Sequence, residues 1–169
     1  ARMYGARIAS SYRIVNHDAR DDSSVRRVGT DPRGAAIAFN REFLDAEVRI
    51  ITGFIEPHLF AGYSGGGKGI MPGIAGREAI MSNHSSGMVG HPNATFGITE
   101  GNPIFEEMRA NALLAQPTLL LNVTLDSQKR VTGVYAGDLV QAHDAGIEAC
   151  RRQALVEVDA AFDIVVTTN

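Results

Sequence analysis

The chain has 169 residues, 44% of them hydrophobic and 21% charged, with a net charge of −3. This is the composition of one ordinary globular domain or of a piece of a larger one, and it gives no reason to expect a nucleic-acid partner. The single cysteine, Cys150, excludes an internal disulfide and a cysteine-rich metal site, no apolar run reaches the ~18 residues of a membrane span, and residues 1–7 lack the apolar core of a signal peptide, so a cytoplasmic setting without a membrane partner is expected.

In chain order, Arg2–Ser10 reads as the end of a helix, Tyr12–Asn16 as a short alternating strand, and Ser24–Val28 and Ala35–Asn40 as strands around the turn Gly29–Gly34. Arg41–Glu47 reads as one or two helical turns. Val48–Ile55 is β-branched and mostly apolar, as expected of a strand in a parallel sheet. A glycine-rich loop, Pro57–Gly73, follows and is expected just outside the carboxyl end of that strand. Gly76–Ser86 has helical spacing, and Ser85–Asn102 is a long polar segment of the kind that often carries function.

Pro103–Ala115 predicts an amphipathic helix with Ile104, Phe105, Met108, Ala112 and Leu113 facing inward. Pro117–Leu125 and Val131–Ala136 are strands joined by a turn at Asp126–Lys129. Asp138–Gln153 is a helix with Leu139, Ala142, Ala145 and Ala149 on one face, and Ala161–Thr167 is a final strand. The alternation gives an α/β class, with a mostly parallel sheet flanked by helices. Such strands deliver functional residues just past their carboxyl ends, and the sequence stops at that point after its last strand. Residues 1–169 are therefore expected to form a single α/β domain that is an internal fragment of a longer, two-domain chain.

The stretch Gly53–Gly73 gathers His58, a run of glycines and Lys68, and His84 follows sixteen residues after the lysine. Glycines at this density mark a backbone that something approaches closely, and they bury little apolar area. Gly62–Lys68 fits the front of a P-loop, G-x-x-x-x-G-K, which would make the chain a phosphate- or nucleotide-binding module. Gly69 stands where the magnesium-binding Ser or Thr belongs, however, and Pro72 and Gly73 break the helix that should follow. The plainest alternative is a surface turn whose lysine points to water. The third reading joins His58, Lys68 and His84 in one cleft: a lysine in a tight loop is a covalent anchor or phosphate ligand, and histidine is a proton shuttle or metal ligand. A lone helix histidine does not complete a metal site, so further donors would come from a cofactor. Of the other histidines, His17 is expected to hydrogen-bond within its turn, His91 to be solvated, and His143 to lie at the surface or cap its helix.

The run Gly53–Lys68, the following Ile70–Gly76 and Asn83-His84 resemble the lactate racemase family, and the resemblance extends to Asn16–Asp18, Ala136–Asp138, Ala142-His143 and the last strand. It implies a nickel-pincer nucleotide as cofactor, a small-molecule 2-hydroxy acid as substrate, and cofactor-biosynthesis enzymes as partners. Lys68 would join the cofactor through a thioamide, with Ser64, Gly65, Gly66 and Pro72 around it. His84 would be the protein's ligand to nickel, and His58 one of two catalytic acid/base histidines. The implied activity is racemisation or epimerisation of a 2-hydroxy acid by proton-coupled hydride transfer: a base takes the hydroxyl proton while hydride moves to the cofactor. The family's second catalytic histidine and its substrate-clamp residues have no counterpart between Ala1 and Asn169, and Gly67 stands where many relatives carry a side chain. The segment on its own is therefore expected to be inactive.

Overall fold

The structure, a computed structural model, describes residues 5–160, 162 and 164–166. Helix α1 (Gly5–Ser11) leads to an antiparallel ribbon of β1 (Val25–Thr30) and β2 (Ala36–Asn40), followed by α2 (Arg41–Asp45). Asp31 shapes the ribbon's turn, its buried carboxylate accepting from the backbone N–H of Arg33 (2.9 Å) and Ala35 (2.8 Å). Strand β3 (Ile50–Ile55) is followed by two-residue strands β4 (Pro57–His58) and β5 (Gly62–Tyr63), then by α3 (Arg77–Asn83), α4 (Ser86–Val89) and α5 (Pro103–Leu113). Strands β6 (Leu119–Leu125) and β7 (Val131–Gly137) and helix α6 (Leu139–Ala154) complete the described elements.

The central sheet has the order β3–β6–β7. Strand β3 runs parallel to β6, from Ile50 opposite Leu119 to Ile55 opposite Thr124, and β7 returns antiparallel to β6. The class is α/β with helices against the sheet, but among the described residues the sheet is mixed, not mostly parallel. The cause is local: the Asp126 carboxylate accepts from the N–H groups of Gln128 and Arg130, both at 2.9 Å, and closes a tight hairpin where a crossover helix would keep strands parallel. Caps set the long helices. Asn102 accepts from the N–H of Ile104 and Phe105 ahead of Pro103, and Asp138 accepts from those of Val140 and Gln141.

Four expectations are corrected. Tyr12–Asn16 is exposed irregular chain, because no strand among the described residues offers it a ladder. Leu113 faces solvent, and Ala115 takes the buried place near the end of α5. The buried face of α6 is Leu139, Ala142, His143, Gly146, Ile147 and Cys150, while Ala145 is exposed. The expected strand 161–167 lies partly outside the described residues, and Phe162 and 164–166 are exposed and not in strand.

The glycine loop also departs from expectation. It leaves the carboxyl end of β3 as foreseen, then turns back along that strand, so that a methyl added at Gly65 would meet Ile55 and one at Gly69 would meet Ile51. Tyr63, Ile70 and Met71 are fully buried, so the loop forms part of the core together with Phe39, Ile104, Met108 and Leu120.

Candidate active site

Three basic side chains converge where the loop passes the end of β3. His58 ends β4, Lys68 sits in the 3₁₀ turn Gly66–Gly69, and His84 caps the C-terminus of α3. Lys68 Nζ lies 3.1 Å from His58 Nε2. The Phe60 ring stands edge-on to both imidazoles, with centroids 4.9 Å from His58 and 5.3 Å from His84. Asn102 Nδ2 donates to Phe60 O at 3.0 Å and so ties this spacer to the start of α5. All three basic groups are half-buried.

Burial lowers the pKa of all three. For His58 it is the largest cause, followed by the charges of Lys68 and His84, and for Lys68 it is the cause. For His84 burial and the Lys68 charge outweigh the hydrogen bond to Ile80 O, which works in the opposite direction. Ala61 N–H donates to His58 Nδ1 at 3.3 Å, and Nε2 is the nitrogen that faces the Lys68 amine. His84 Nδ1 lies 3.1 Å from Ile80 O, a pure acceptor, so the proton sits on Nδ1 and the Nε2 lone pair is left open.

The other loop residues have structural work. Ser64 Oγ accepts from Glu56 N–H and donates to Phe54 O, both at 3.0 Å, stitching the loop to β3. Gly65 (φ +77°) and Gly66 (φ +52°) need left-handed backbone, and a methyl on Gly66 would overlap the His143 ring. Pro72 is half-buried after a cis peptide bond with Met71. The close approach that the glycines permit is thus by the protein's own side chains. The P-loop alternative loses its cradle, because the N–H groups of Ser64, Gly66 and Lys68 are taken by Glu56 O, Asn122 Oδ1 and Gly65 O.

Residues 1–97 match the family described as the lactate racemase N-terminal domain. The chain belongs to that family. It is 37% identical over 166 residues to the lactate racemase of Thermoanaerobacterium thermosaccharolyticum and 38% identical over 167 residues to that of Lactiplantibacillus plantarum, covering 98% of this chain in both cases. The chain spans 39% of the length of these curated relatives. Among solved structures, the lactate racemase apoprotein from T. thermosaccharolyticum superposes with a TM-score of 0.79 at 38% identity, over 82% of this chain and 33% of that one. A Thermotoga maritima protein shares the fold at a TM-score of 0.74 and 20% identity, over 86% of this chain and 40% of its own.

In this family member the sequence reading missed two residues beside the site. His143 is 1% exposed, with Nε2 3.0 Å from Ser64 O, and burial holds its imidazole down at about 4. Asn122 is fully buried on β6 and accepts from Gly66 N–H at 2.7 Å. The spacing of Leu139, His143, Gly146 and Cys150 is helical and would have put His143 on the inner face. For Asn122 the only signal is a polar residue inside an apolar strand. Of the remaining histidines, His17 reaches beyond its own turn to Ala75 O (2.9 Å) and Asn40 Nδ2 (3.3 Å), and His91 is exposed.

Proposed function

We propose that this chain is part of a racemase or epimerase of a 2-hydroxy acid, with Lys68 anchoring a nickel-pincer nucleotide, His84 as the protein donor to nickel and His58 as a general acid/base. The observation that carries this reading is the Lys68–His58 contact with His84 across the same phenylalanine. It brings a half-buried amine, a proton carrier and an imidazole with an open nitrogen to one spot.

The residues fit such a cofactor. Among the described residues no three His, Cys, Asp or Glu side chains form a metal site, so a metal here would take one protein nitrogen, His84 Nε2, and its other donors from the bound group. When bound, the group would supply the hydride acceptor that breaking an unacidic Cα–H requires. Burial lowers the Lys68 pKa, so its amine would lose a proton more readily than a free lysine and become nucleophilic toward an acyl-type carbon. Once acylated, its nitrogen carries no charge, and one of the causes depressing His58 disappears. His58 would then return toward its ordinary range and move the substrate hydroxyl proton near neutral pH.

The test is cofactor loading of the full-length protein, followed by intact mass and nickel content. Lys68→Ala is expected to abolish the mass gain. His84→Ala is expected to keep the organic part and lose nickel, and nickel at wild-type level in that variant refutes the ligand assignment.

A further inference from the structure

We infer that Asn122 and His143 are positioning residues that clamp the backbone of Ser64–Gly66 and so fix the direction in which the next turn presents Lys68. The inference rests on Lys68 being the attachment lysine. Two buried polar side chains from different elements, β6 and α6, spend their functional atoms on one three-residue stretch. Asn122 Oδ1 accepts from Gly66 N–H at 2.7 Å, and His143 Nε2–H donates to Ser64 O at 3.0 Å. From the same stretch Gly65 O accepts from Lys68 N–H at 3.0 Å, so the clamp leads directly into the lysine's own turn.

Each clamp is itself held. Asn122 Nδ2 donates to Leu121 O at 3.1 Å. The His143 ring stacks on Phe105 at 5.9 Å and 26°, and Arg109 Nη2 lies 3.5 Å from its Nδ1. That guanidinium sits 4.5 Å over the Phe105 ring and is paired with Asp144. Glycine at 65 and 66 lets both side chains reach the backbone: a methyl on Gly65 would lie 2.6 Å from Asn122 Oδ1, and one on Gly66 would overlap the His143 ring. Both clamps are neutral, so they orient the loop without adding charge beside the lysine.

The experiment uses the full-length, cofactor-free protein. The rate of mass gain on the Lys68 peptide during loading with the nickel-pincer nucleotide is compared among wild type, Asn122→Ala, His143→Phe and His143→Gln, whose amide preserves the N–H donor. Asn122→Ala and His143→Phe are expected to load roughly ten- to a hundredfold more slowly, the scale of effect of a misplaced reacting group. His143→Gln should stay within about threefold of wild type, since its bond is kept. Amide hydrogen exchange supplies a readout without cofactor: Gly66 N–H should exchange as slowly as the β6 amides in wild type and at least about tenfold faster in Asn122→Ala. Unchanged loading in the folded Ala and Phe variants, equal slowing by Gln and Phe, or a Gly66 amide that exchanges like an exposed loop in wild type overturns the clamp. If His143→Phe does not fold, Asn122→Ala and the exchange measurement carry the test. A wild-type protein that gains no mass at all refutes the anchoring role of Lys68, and Gly66 exchange still decides the clamp.

Discussion

Lys68 and His58 share a 3.1 Å contact in partial burial, where two positive charges repel each other and lose hydration together. In Lys68→Met the charge is gone while the packing of the stem is largely kept, so the His58 ring should titrate at higher pH than in wild type. Proton NMR of its ring signals reads this, and an unchanged or lower midpoint removes the coupling. His143 makes a second prediction. Its folded pKa is about 4 against an ordinary 6.5, so its contribution is complete above pH 6.5 and is lost as pH falls toward 4, where the unfolded chain is protonated and the folded one is not. The gap corresponds to about 3 kcal/mol at most. Urea midpoints at pH 7 and pH 4.5 should therefore differ less in His143→Gln than in wild type, and equal losses in both proteins would show that the acid sensitivity lies elsewhere.

At the scale of elements, the glycine loop and the caps carry the testable costs. Gly66→Ala combines φ +52° with a methyl against the buried His143 ring and should cost about 2–4 kcal/mol in chemical denaturation. Gly87→Ala, inside α4 with nothing near its new methyl, should be neutral or gain up to about 1 kcal/mol. Asn102→Ala removes the α5 cap together with donors to Phe60 O and Ile98 O from a fully buried site, and about 2–3 kcal/mol is expected. What the sequence made legible follows from the same physics. Strands β3, β6 and β7 and helices α5 and α6 were readable because β-branched runs, caps and helical spacing are local signals. Tyr12–Asn16 misled because alternation alone does not supply a partner strand. The loop misled more instructively: its glycines marked close approach correctly, but which atoms approach was decided by Asn122 and His143, 56 and 79 residues from their loop partners. His58, Lys68 and His84 were legible as a group because they lie close in sequence, whereas the clamp depends on tertiary contacts that no local spacing encodes.

The described segment leaves part of its sheet and part of its site exposed. The sheet face away from α6 leaves Ile50 50%, Phe54 43% and Val134 62% exposed, a contiguous apolar surface of the kind α/β sheets normally cover. His58, Lys68 and His84 are only half-buried, and the curated relatives are longer, with this chain spanning 39% of their length. Exclusion of water and orientation of substrate both need walls, and exchange between enantiomers needs a proton carrier on each face of a planar intermediate. Among the described residues, the imidazoles placed with Lys68 are His58 and the proposed metal ligand His84; His143 is spent on Ser64 O, and its low pKa unfits it as a base near neutrality. Loss of one general base typically costs ~10²–10⁴-fold, and loss of orientation adds to that. Residues 1–169 produced alone and loaded with cofactor and nickel should therefore leave single enantiomers of lactate and longer 2-hydroxy acids unchanged in a chiral chromatographic assay, while a full-length relative interconverts them. Turnover by the segment comparable with that relative would place the second proton carrier among the residues described here and would end the one-base reading of this site.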